Sequence, residues 1–185
     1  MKRKEVEKKF NEEYKKVCNE LNIDCTKNMK KIITQNMHLV LYKNGTIEKK
    51  LYEYTETIFD KYKSNIIKLV TKIGEEFDKS LSDKFIKEFE NLNNKNLDSY
   101  FEEIEKNIQD NIKEELKETT KIKLYNLKQN LRISIIGELI EENNSIKRKI
   151  KKNGLIAKIK NSIIDNFVGY LIAAFLGWII SKIFN

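Results

Sequence analysis

Residues 166–181 carry no charged side chain, and the 14 positions 147–160 ahead of them hold seven basic residues and no acid. A helix that is apolar on every side has to be buried, either in a protein core or in lipid. The basic residues Lys147, Arg148, Lys149, Lys151, Lys152, Lys158 and Lys160 bear on the choice. A cationic collar beside an apolar helix meets anionic headgroups at the cytoplasmic face of a bilayer, and a core helix has no use for one. Of the net charge of +8, this run supplies seven; Asp165 and Lys182 cancel, and residues 1–146 carry the remaining +1. The excess charge is local, which points to lipid headgroups before nucleic acid as the partner.

The uncharged stretch 167–181 has 15 residues. As a helix it is about 22 Å long, and residues 163–184 give about 33 Å, against a hydrocarbon core of about 30 Å. Tyr170 and Trp178 suit the two interfaces, and Lys182 is placed to snorkel. The expectation is therefore an all-α chain in three parts. Residues 1–145 form a cytoplasmic helical domain, residues 146–161 a basic juxtamembrane linker acting as a hinge, and residues 162–185 a transmembrane tail anchor. A buried helix of a water-soluble bundle is the alternative.

Helical spacing runs through the rest of the chain, and there is no proline to interrupt it. Val6, Phe10, Tyr14, Val17 and Leu21 predict a first helix over residues 2–21, ended by residues 22–25, with Thr26 capping a second. His38 to Tyr42 is the one strand-like passage; followed by Asn44-Gly45 it reads as a loop between helices, with a small hairpin as the alternative. Leu51, Ile58, Tyr62, Ile66, Leu69 and Ile73 predict a helix from about Glu48 to Phe77. Ser82-Asp83 starts a short helix, and the Asn-rich residues 91–96 read as a break. Asn96 or Asp98 is the expected cap of the next helix, whose apolar row continues to about Glu142, with Thr119-Thr120 or Gly137 as the alternative points of interruption. Asn143 to Ser145 and Asn153-Gly154 read as joints around the basic run.

Within the terminal helix, Gly169, Ala173, Gly177 and Ser181 recur every four residues, with Asp165 one step earlier. Small residues so spaced let two helix backbones approach closely, which gives contact that lipid tails cannot replace. Over about 17 residues this pattern is similar to the glycine-zipper segments of pore-forming and channel proteins. The resemblance implies self-association in the membrane. Asp165 would then join a ring of acids at a pore mouth, or else pair with Lys158 or Lys160.

No catalytic signature accompanies these features. The sequence has no Gly-rich phosphate loop, no nucleophile elbow and no zinc-protease helix, and its one histidine, His38, stands alone. Cys18 and Cys25 are too few for a zinc site and read as free thiols, a short-range disulfide being the alternative. No enzyme activity, metal or cofactor is expected. Two functions fit: a homo-oligomer that permeabilises the membrane, of the toxin, lysis or anti-phage effector type, or a tail-anchored adaptor that recruits a protein partner.

Overall fold

Without proline, helix propagates until a particular side chain stops it, and the computed structural model shows where that happens. It describes residues 3–38 and 45–184, with side chains described through residue 164 and at Phe167. Every regular element among the described residues is helical: α1 (Arg3–Ile23), a π-helical turn (Asp24–Asn28), α2 (Met29–Gln35), α3 (Gly45–Phe77), α4 (Asp83–Gln109) and α5 (Glu114–Phe184). The chain divides into two compact units, Met1–Ile146 and Lys147–Asn185.

The first unit buries one stripe of each helix. Phe10 of α1 meets Phe85 and Phe89 of α4 edge-on, with ring centroids 5.5 and 5.2 Å apart, and Phe59 of α3 stacks on Phe101 of α4 at 4.5 Å. Leu124, Leu131, Ile135, Leu139 and Ile146 of α5 are buried in turn. Polar ties bracket this last face. Thr120 Oγ1 and Lys123 Nζ donate to the buried Glu48 Oε1 at 3.1 and 3.0 Å, and Lys128 and Arg132 both donate to Asp98.

Several expected boundaries fall elsewhere. Residues 22–25 do not end the first helix. The backbone stays helical through the π turn, and the Thr26 hydroxyl bonds back to the Asn22 carbonyl at 2.8 Å instead of capping a new helix. Leu21, Cys25 and Met29 explain the wide turn. All three are buried, and a four-residue step overshoots the 3.6-residue turn, so a π turn restores them to one face. Tyr54 reaches the Asp24 carbonyl there at 3.4 Å.

Residues 45–54 are helical, which excludes the return strand of a hairpin; residues 39–44 lie outside the described part. The Asn-rich residues 91–96 are not a break, and neither Asn96 nor Asp98 is a cap. Both sit inside α4, because the Asn93 side-chain carbonyl accepts from Tyr62 of α3 and the Asn96 amide donates to Tyr14 of α1. Ser82 does cap α4, accepting from the Phe85 N–H at 3.1 Å.

The apolar row from Leu97 to Ile140 is not one helix either. It is interrupted at residues 110–113, where the Asn111 amide side chain bonds back to the Asn107 carbonyl at 2.7 Å and Ile112 is fully buried. Beyond that turn, α5 passes through residues 143–145 and 153–154 without interruption. The basic run is therefore helix, not an irregular hinge. Asn143 does not terminate the helix because its side chain is engaged elsewhere: it accepts from the Leu81 N–H at 2.8 Å and donates to the Leu81 carbonyl at 3.2 Å. That contact fixes the α3–α4 connection, where Asp78 takes the left-handed conformation (φ 48°) that ends α3.

Candidate membrane-contact site

The second unit is built on a single stretch of backbone, the part of α5 from Lys147 onward. Between residues 147 and 153 the basic residues Lys147, Arg148, Lys149, Lys151 and Lys152 spread over about 200° of the helix surface at 100° per residue, and Ile150 and Asn153 face the remainder. Arg148, Lys149, Lys151 and Lys152 are exposed, as are Lys158 and Lys160; Lys147 is partly covered.

From residue 155 the arrangement changes. Leu155, Ile159, Ile163 and Phe167 recur every four residues, flanked by Ile156 and Ile164, and all six are exposed at 48–62 %. Each four-residue step advances about 40° around the helix, so these residues occupy one half of its surface. Gly154, Lys158 and Asn161 face the other half. Lys160 falls within the apolar half, where it lines a shallow groove together with Ile156, Ile159, Ile163 and Ile164. A lysine there can lay its aliphatic stem along the apolar face and keep its ammonium in water. Sequence reading assigned the lysines but missed this row. Its signal, a four-step repeat of Leu and Ile, was present but merged with the terminal apolar run.

The side chains of Asp165, Gly169, Tyr170, Ala173, Gly177, Trp178, Ser181 and Lys182 lie outside the described part of the structure. The backbone that carries them is helical to Phe184. Among the described residues, no helix is long and apolar enough to cross a membrane.

No group of three or more His, Cys, Asp or Glu side chains among the described residues could hold a metal. Cys18 and Cys25 are free thiols, and burial pushes Cys25 up to about 12. His38 is exposed. The cavity between α1 and α3, lined by Leu21, Asp24, Ile58 and Lys61 among others, has about 10 Å³ of room, at most one water.

What the first unit does contain is a buried polar chain. The Asn96 amide donates to Tyr14 Oη at 3.1 Å, Tyr14 and Tyr62 hydroxyls meet at 2.7 Å, and Tyr62 donates to Asn93 Oδ1 at 2.8 Å. Burial raises both tyrosines above their ordinary range, and Tyr100, which donates to the Cys18 carbonyl, rises to about 12 for the same reason. Hydroxyls held protonated in this way act as donors, and they fix the relative positions of α1, α3 and α4.

Compared with known proteins, the chain matches no family model, no curated protein and no solved structure.

Proposed function

We propose that this is a helical membrane protein whose terminal helix seats in a bilayer from the cytoplasmic side, associates with copies of itself, and permeabilises the membrane. The observation that carries this reading is the charge-free run 166–181 set behind seven basic residues. Insertion would remove that run from water, and the collar would hold its near end at anionic headgroups. Gly169, Ala173, Gly177 and Ser181 would then be the contact row between copies, with Asp165 at the mouth of the opening and Tyr170, Trp178 and Lys182 at the interfaces. The helical unit of residues 1–146 would serve as the body that assembles or receives a trigger. An effector acting by loss of membrane potential, such as a toxin, a lysis protein or an anti-phage protein, needs no more chemistry than this.

One observation favours a second reading, an anchored adaptor without a pore. The face of α5 turned away from the core exposes Ile122, Tyr125 and Ile133 at 54, 58 and 74 %, a surface on which a protein partner could dock.

Gly169→Leu together with Gly177→Leu distinguishes the two. Permeabilisation predicts that the double variant stays in the membrane fraction but no longer depolarises cells stained with a potential-sensitive dye. Depolarisation equal to that of the unaltered protein would overturn the pore and leave the adaptor.

A further inference from the structure

We infer that residues 155–164 form an interfacial segment of their own. Its apolar half is immersed at the boundary between headgroups and acyl chains of an anionic bilayer, and its polar half faces the headgroups. Membrane contact then starts at Leu155, ahead of the terminal span. This inference rests on the proposed membrane seating and adds to it a second, differently oriented contact, a requirement for anionic lipid, and a bend near residue 165 on binding, since α5 is one continuous helix in this structure.

The first argument is exposure. Leu155, Ile156, Ile159, Ile163, Ile164 and Phe167 stand out from the helix with about half or more of their surface uncovered, and such a continuous apolar row marks an interaction surface. The second is the division of the helix into halves. A spanning helix is apolar all round, whereas residues 154–161 set Gly154, Lys158 and Asn161 opposite the row. A helix with one apolar and one polar face lies in the plane of the membrane surface.

The third argument is charge. The segment and its collar, residues 147–164, carry seven positive charges and no negative one. A surface of anionic phosphates complements that directly. A parallel second copy of the chain would oppose like charges along the whole length, which disfavours it as the occupant. Nucleic acid would satisfy the lysines but leave the isoleucines in water.

Full-length protein with a single tryptophan tests this. The chain has one natural tryptophan, Trp178; in the unaltered protein it reports on the terminal helix alone. In a Trp178→Phe background, Ile159→Trp reports the apolar half and Lys158→Trp the polar half. Vesicles of phosphatidylethanolamine with phosphatidylglycerol, and of phosphatidylcholine alone, are the two surfaces. With the anionic vesicles, the tryptophan of Ile159→Trp should shift to the blue. It should lose its accessibility to iodide and be quenched by lipids brominated near the headgroup. The tryptophan of Lys158→Trp should stay accessible, and neither variant should respond to phosphatidylcholine.

Three outcomes overturn the inference. One is an Ile159→Trp variant as accessible to iodide with anionic vesicles as without. The second is equal quenching of both variants by lipids brominated deep in the acyl chain, which would make the segment part of a spanning helix. The third is protection by duplex DNA but not by vesicles. Trp178 separates these from failure of the anchor: if Trp178 stays in water while Ile159→Trp is quenched, the span is wrong and the interfacial segment stands.

Discussion

Asn93 occupies a position in α4 where the helical repeat calls for an apolar side chain, and it is completely buried. Its carbonyl oxygen receives Tyr62, and Tyr14 lies within 3.3 Å, but its amide nitrogen finds no partner among the described residues. A half-satisfied amide in a core favours one arrangement of helices over its neighbours more than it adds stability. The tyrosines attached to it make the fold sensitive to alkali. Both are held protonated in the folded unit, while unfolded tyrosines titrate at about pH 10. Below that pH their contribution is complete. As pH rises through it, the unfolded chain releases protons that the folded one retains, so stability falls. Urea midpoints measured across this range should decline for the unaltered protein and decline less for Tyr14→Phe with Tyr62→Phe. That double variant should also lose about 1–3 kcal/mol at neutral pH, since Asn93 loses its donors.

Among the elements, α3 and α5 are in tight contact at Gly74, which lies against Ile146. A β-carbon there would lie 2.9 Å from Cγ1 and 3.0 Å from Cγ2 of Ile146, whereas one at Gly137, on the open side of α5, would meet nothing within 4 Å. The two glycines should respond oppositely to the same change. Gly137→Ala should stabilise by about 0.5–1 kcal/mol through helix propensity. Gly74→Ala should destabilise by about 1–3 kcal/mol through overpacking, with partial recovery when Ile146→Val is added; thermal or urea unfolding of the three variants measures both. The amphipathic faces of α1, α3 and α4 were legible because aromatic and aliphatic residues recur at helical spacing. The boundaries were less so. Asparagines usually mark breaks through local side-chain-to-backbone bonds, but Asn93, Asn96 and Asn143 are committed to partners 31, 82 and 62 residues distant. The interruption at residues 110–113 contains neither glycine nor proline and depends on burying Ile112, a tertiary event that the local sequence does not announce.

At the scale of the molecule, the near-neutral unit ending at Ile146 holds the buried side chains among the described residues, and the second unit holds nearly all the net charge. A chain ending after Ile146 should therefore remain helical by circular dichroism and unfold in one transition near the midpoint of the full protein. A loss of cooperativity would show that the second unit contributes to the fold of the first. Asn143 has a bearing on where such a chain can mature. It opens the triplet Asn143-Asn144-Ser145, an acceptor pattern for N-linked sugar. In the folded unit both ends of its amide are occupied by Leu81 and the side chain is shut away from solvent. An oligosaccharide could be attached only to the nascent chain, and would then hold the α3–α4 connection apart, so passage through a eukaryotic secretory pathway would yield a glycoprotein unable to close its own core.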